Sequence, residues 1–127
     1  PLEYAIYKQD PDIIDTLWQY GARLRILDET MLIYSLKNAQ AKKLALQKKY
    51  NPQETERIIE FLIRAGIPIN NVFQFVDKET KQSTNMTVLD LAKKLNVQEA
   101  VKILKKYNAK SLTNEETSKT SWWSRFF

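Results

Sequence analysis

The sequence predicts an all-α chain organised as a solenoid of stacked helix-turn-helix units, with short β-turn fingers and a flexible carboxy-terminal tail. Three observations carry that expectation. A Leu-x-x-small signature recurs as Leu2 with Ala5, Leu32 with Ser35, and Leu89 with Ala92. Each copy then reaches a residue suited to ending a helix, namely Gly21, Gly66 and Asn108, at identical spacing in the first and third copies. Before each of those ends runs the same apolar stripe. Internal repetition of this length marks units that bury a core only by stacking on their neighbours.

Taken in order, each copy reads as helix, turn, second helix, then an irregular extended piece. Ile13, Ile14, Leu17 and Trp18 make a one-sided stripe in the second helix of the first copy. Ile58, Ile59, Leu62 and Ile63 repeat it before Gly66, and Ala100, Val101 and Leu104 repeat it before Asn108. Gly21 and Gly66 are the chain's only glycines, and both fall where a helix ends in the left-handed conformation. Asparagine is the next most tolerant residue there. Helix starts are marked by Thr30, by Asn51 before Pro52 with Glu54 at the third position, and by Thr87 with Asp90 as a capping box.

The copies span about 1–29, 30–70 and 71–110 within one domain, 1–110. The middle copy is longer by about fifteen residues than the usual repeat of about 33. Its extra segment, Lys37 to Tyr50, lacks Gly and Pro and is rich in Ala, Leu, Lys and Gln, so it lengthens the first helix or adds another. A second insertion lies between Asn70 and Thr87. There Val72, Phe73, Phe75 and Val76, followed by polar Asp77 to Asn85, read as a longer hairpin or a mobile loop.

A chain of 127 residues suits a single domain with a modest core. It holds no Cys and no His. That excludes disulfides, Ser-His and Cys-His nucleophile pairs and the common zinc ligand sets, so no catalytic residue, metal site or cofactor is expected. Adjacent Asp28 and Glu29 give no reason for a raised pKa in an exposed finger. No apolar run approaches a membrane span, and the amino terminus shows no signal-peptide pattern. The first residue is Pro1, so the chain is expected to be a fragment with further repeats or another domain ahead of it.

The net charge of +5 is mild, but its lysines cluster. Lys37, Lys42, Lys43, Lys48 and Lys49 fall in one stretch, and Lys93, Lys94, Lys102, Lys105, Lys106 and Lys110 crowd the last copy. The two readings are a solvated helix face and a patch for nucleic acid or an anionic membrane.

At this point the chain resembles ankyrin repeats. The family's Thr-Pro-Leu-His-x-Ala opening is echoed by Pro1-Leu2-Glu3-Tyr4-Ala5, by Thr30-Met31-Leu32-Ile33-Tyr34-Ser35 and by Thr87-Val88-Leu89-Asp90-Leu91-Ala92. Its apolar second helix ending in Gly-Ala is echoed by Leu17 to Ala22, Leu62 to Ile67 and Leu104 to Ala109. The family histidine is replaced by Glu3, Ile33 and Asp90, so its hydrogen bonds are missing or remade. Where Trp18 and Ile63 sit on the outer part of the second helix, the third copy has Lys105, as a terminal repeat facing water requires. The first copy shows no comparable cap.

The resemblance implies a cupped stack that binds another protein through its finger tips and the exposed side of its first helices. Carried over by position, the fingers are Arg23 to Glu29 and Asn71 to Met86, and the exposed helix positions are Tyr7, Lys8, Lys37, Asn38, Lys94 and Leu95. The candidate contacts are Tyr7, Lys8, Arg23, Arg25, Lys37, Asn38, Phe73, Phe75 and Lys94. Against that reading, Tyr7 covers apolar surface, and Phe73 and Phe75 pin their loop to the core.

Residues 111–127 begin with a polar stretch that is expected to be disordered and end in Trp122, Trp123, Ser124, Arg125, Phe126 and Phe127. Three readings of that aromatic end stand side by side. It folds back on the stack, it is a linear motif for a partner or membrane interface, or it resembles the carboxy-terminal secretion signal of bacterial type IV effectors.

The function expected is a monomeric protein-protein interaction module without catalysis, soluble and cytoplasmic. The alternative is the targeting domain of a secreted effector or enzyme, delivered into a host cell, whose catalytic part lies upstream.

Overall fold

The structure, a computed structural model, describes residues 2–45 and 50–112. The readings of Lys48, Lys49 and the aromatic end Trp122, Trp123, Arg125, Phe126 and Phe127 lie outside the described residues. The chain runs through α1 (Leu2–Tyr7), α2 (Pro11–Gln19), α3 (Thr30–Leu44), α4 (Pro52–Arg64), β1 (Phe73–Val76), β2 (Ser83–Met86), α5 (Val88–Lys94) and α6 (Gln98–Lys106). Among the described residues it is thus mostly helical rather than all-α, with one small two-stranded sheet where the sequence predicts a longer hairpin or a mobile loop. No helix among the described residues is long and apolar enough to cross a membrane.

The second helices end alike in all three copies. Gly21, Gly66 and Asn108 take φ of 97°, 106° and 64°. Each left-handed residue lets the next N–H reach back five residues, Ala22 to the Leu17 carbonyl, Ile67 to Leu62 and Ala109 to Leu104, at 2.9 to 3.1 Å. A Cβ at either glycine would meet nothing within 4 Å, so backbone conformation alone demands glycine there. The first helices of the outer copies end the same way. Gln9 (φ 55°) and Asn96 (φ 58°) hold matching places before α2 and α6.

Helix starts follow the expected residues with one correction. Asn51 accepts the Gln53 N–H at 2.9 Å ahead of Pro52. Thr87 and Asp90 form the reciprocal capping box. Asp10 caps α2 through the Asp12 and Ile13 N–H groups. Thr30 does not cap α3: it is already helical, and its N–H is taken by Asp28 Oδ1 at 2.9 Å. Asp28 sits two residues ahead, where an aspartate closes a turn on its own backbone and competes with a cap.

Packing arranges the helices in two rows. Within each copy the paired helices touch, and α1 packs on α3 and α3 on α5, while α2 packs on α4 and α4 on α6. The core between the rows is aliphatic, with Leu2, Ile6, Leu32, Leu36, Ile59, Leu62, Leu91 and Leu104 at 0% exposure. The small residues Ala5, Ser35 and Ala92 are buried too. The Gln9 side-chain amide donates to Ser35 Oγ at 3.2 Å, joining one copy to the next.

The second insertion and the described part of the first adopt regular structure. The first lengthens α3 to 15 residues. The second folds as an antiparallel hairpin with Phe73 opposite Met86 and Val76 opposite Ser83. Phe73 and Phe75 point inward and pack against the core, and Gln74 and Val76 point outward. After α6 the chain returns to the start of α5, where the Thr87 hydroxyl donates to the Lys110 carbonyl at 2.7 Å and Asp90 accepts from Ser111 Oγ and the Leu112 N–H.

Candidate functional site on the first-helix face

Tyr7, Lys37 and Lys94 hold the same place in the three copies, two residues after the small residue of the signature. Stacking α1 on α3 on α5 therefore lines them along one face. The period-two alternation of β1 turns Phe75 toward that face. Lys37 Nζ lies 5.5 Å and Lys94 Nζ 6.0 Å from the Phe75 ring centre. One half-buried ring from the hairpin is thus approached by cations from two helices, within reach of the ring's negative face. Asp77, just after β1, lies 3.9 Å from Lys94 Nζ. The Glu79 and Thr80 N–H groups, and then Lys94, hold its carboxyl below the usual value.

Further along the face, the rings of Tyr7 and Tyr34 meet edge to face at 4.7 Å, and the Tyr34 hydroxyl donates to the Tyr7 carbonyl at 3.0 Å. Tyr7 stays 46% exposed. Lys8 is exposed, with its ammonium 5.4 Å from the Tyr4 ring centre. Lys8 and Lys37 have no ion-pair partner among the described residues.

Other candidates are placed differently. Arg23 is turned onto its own chain: its guanidinium stacks 3.9 Å from the Trp18 ring centre and Nη1 donates to the Trp18 and Ala22 carbonyls. The Trp18 carbonyl, in the last turn of α2, also accepts the Gly21 N–H at 3.0 Å, and the Ala22 carbonyl follows the left-handed turn; the dipole of α2 favours a cation at this end. Arg25 has an exposed side chain, and its backbone N–H donates to Glu3 Oε1 at 2.9 Å. Asn38 is half-buried, its Oδ1 shielded from solvent without a partner among the described residues. Leu95, expected to be exposed, is 9% exposed, because the left-handed turn at Asn96 folds it under.

The opposite face, formed by the second helices, is laced by ion pairs. Arg57 reaches Asp15 at 2.7 Å and Asp12 at 3.3 Å, linking α4 to α2. Lys106 meets Glu60 at 2.8 Å, Tyr107 donates to the same carboxylate at 3.1 Å, and Lys102 lies 3.8 Å from Glu56. A groove of about 410 Å³ runs beside Trp18, Arg57 and Phe61. Lys106 and then Tyr107 hold Glu60 below its usual value, and Asp15 first and then Asp12 hold Arg57 above its own. Both groups are thus fixed in their charged forms, the reverse of the tuning a proton-transfer site needs.

A third cluster escaped the sequence reading. The Tyr50 hydroxyl donates to Glu99 Oε1 and lies 3.1 Å from Thr55 Oγ1, while Lys43 Nζ reaches Glu99 Oε2 at 2.9 Å. The long α3 is thereby tied to α6. Burial first, and then Glu99, push the Tyr50 phenol upward. For Glu99, burial pulls upward but is outweighed by Tyr50 and Lys43, so its carboxyl lies below the usual value. Tyr34 was missed as well, whereas Asp77 lies within the finger Asn71 to Met86 named from the sequence. Tyr34 had a signal, since it repeats the place of Tyr4; Glu99 had none, since Tyr50 lies 49 residues away.

The lysines that cluster in sequence have different surroundings: Lys43, Lys102 and Lys106 face carboxylates, Lys37 faces Phe75, Lys94 faces both Phe75 and Asp77, Lys42 is half-buried, and Lys93, Lys105 and Lys110 are exposed. Compared with protein-family models, curated proteins and solved structures, the chain matches none.

Proposed function

We propose that this chain is a protein-binding module, an ankyrin-type stack that recruits a partner through its first-helix face and the β1–β2 hairpin, without chemistry of its own. The observation that supports it best is the convergence of Lys37, Lys94 and Phe75, brought together from three elements distant in sequence. Lys37, which rests on the ring without an ion-pair partner among the described residues, keeps its charge available to a partner's carboxylate, while the ring and the Tyr7–Tyr34 pair supply apolar contact. The partner this chemistry fits is a protein segment with acidic side chains beside apolar ones. Positive charge on the face speeds its encounter.

The test is affinity capture from lysate treated with nuclease, with retained proteins identified by mass spectrometry. The reading expects a protein held by the unaltered chain and by Arg57→Ala, and lost from Lys37→Glu and from Phe75→Ala. A partner held equally by all four chains, or lost only when residues 113–127 are removed, would overturn it.

A further inference from the structure

The two ends of the helical rows are unlike. At the far end, the place held by wholly buried Ile6 and Leu36 passes to exposed Lys93, and that of Trp18 and Ile63 passes to exposed Lys105. At the near end the apolar residues remain but lose their cover. Ile58 and Ala100 are 2% and 0% exposed, and Ile13, at the same position of the first copy, is 49% exposed. Leu91 is 0% exposed and Tyr4, its counterpart, 64%. Leu17 is half-buried where Leu62 and Leu104 are fully buried, and Tyr20 is 86% exposed where Ala65 and Tyr107 are half-buried.

We propose that this near end, formed by Tyr4, Ile13, Leu17 and Tyr20, is the stacking face for a further helical hairpin of the same kind, carried by the same polypeptide ahead of α1. The molecule itself shows what covers these positions. In the second copy Tyr34 leans its ring on Tyr7 and donates its hydroxyl to the Tyr7 carbonyl, both belonging to the copy ahead. Tyr4 holds the place of Tyr34 and presents the same ring and hydroxyl to the copy that would precede it. A second copy of this chain stacked head to tail is disfavoured, because the far end would bury Lys93 and Lys105 against apolar side chains. Tyr4, Ile13 and Tyr20 are exposed on the paired helices α1 and α2 and the turn after them, and such apolar exposure marks an interaction surface when it gathers on one end.

The chain has no cysteine, so one introduced thiol reports on its own surroundings. Ile13→Cys and Tyr4→Cys are placed separately in residues 1–127 and in the polypeptide with its natural upstream residues, and maleimide labelling rates are compared. At both positions labelling is expected to slow at least ten-fold in the longer polypeptide, while Lys105→Cys labels equally in both. Equal rates at positions 4 and 13 would overturn the proposal, as would a reading frame with no helical hairpin ahead of α1. Slow labelling in residues 1–127 themselves would also overturn it. Relief on dilution would then identify a second copy as the cover, and relief on removing residues 113–127 would identify the tail.

Discussion

The two faces of this molecule are built from the same three helical pairs, yet they dispose of charge in opposite ways. On the second-helix face, charges of one helix meet opposite charges of the next, as with Arg57 on Asp12 and Asp15 or Lys106 on Glu60. On the first-helix face Lys37 lies over the Phe75 ring with no ion-pair partner among the described residues, while Lys94 is shared between that ring and Asp77 at 3.9 Å. An ion pair neutralises what it joins, whereas a ring attracts a cation without cancelling its charge. A surface matched to itself has little left for a partner; one whose cations rest on aromatics offers both charge and apolar area.

Both faces depend on one core, so the largest effect comes from breaking it. Leu62 is fully buried in α4, the helix that packs on both α2 and α6. Leu62→Ala is expected to destabilise by about 2–5 kcal/mol, from lost transfer energy plus the cavity left behind. Urea unfolding followed by circular dichroism checks it, and a loss under about 1 kcal/mol would mean that the rows are not held together through this residue.

Next comes Glu99, which belongs to neither face but joins α3 to α6. Its folded pKa lies below the ordinary value because the Tyr50 and Lys43 bonds outweigh burial. A lowered carboxylate pKa means the folded state binds fewer protons than the unfolded one. The stabilisation is therefore complete above the ordinary range near pH 4.3 and is lost as pH falls through the folded pKa. Glu99→Gln should cost about 1–3 kcal/mol at neutral pH and flatten the acid limb of the stability profile. Glu60→Gln, whose carboxylate is more exposed, should flatten it less. Unfolding measured from about pH 2 to 6 compares the two.

The direct contrast of faces follows. Phe75→Ala is expected to weaken partner binding at least ten-fold, about 1.4 kcal/mol, whereas Arg57→Ala leaves affinity unchanged and costs at most about 1 kcal/mol of stability. Titration calorimetry with a captured partner separates them. An Arg57→Ala chain that lost binding as Phe75→Ala does would reverse the assignment of the faces.

What the sequence disclosed was what local chemistry decides. Gly21, Gly66 and Asn108 end helices through their own backbone freedom, and Asn51-Pro52 and Thr87 with Asp90 start them through bonds three residues long or less. Thr30 shows the limit even there, since it is already helical and its own N–H is accepted by Asp28 two residues earlier. The left-handed Gln9 gave no warning, because glutamine has no preference for that conformation; its match to Asn96 emerges only when the copies are overlaid. The site was half legible. Tyr7, Lys37 and Lys94 followed from repeat register, and the inward turn of Phe75 from alternation. Their convergence depends on how a hairpin after α4 lies across α3 and α5. For Arg23, finger position suggested a contact but did not disclose that its guanidinium meets the Trp18 ring and the Trp18 and Ala22 carbonyls of its own chain.

The smallest expected effects give the sharpest comparison, because they remove one lysine from each face. Lys102 is 75% exposed at its side chain and lies 3.8 Å from Glu56, a separation at which solvent screens most of the attraction. Lys102→Ala should change stability by less than about 0.5 kcal/mol and leave partner binding as it was. Lys37→Ala should be equally silent in unfolding, since among the described residues no carboxylate pairs with it. Its effect should appear only in the complex, as a roughly three- to ten-fold weaker affinity and a shallower dependence on salt. If both alanine variants bound alike across a salt series, Lys37 over Phe75 would be no more available than a lysine held in a pair.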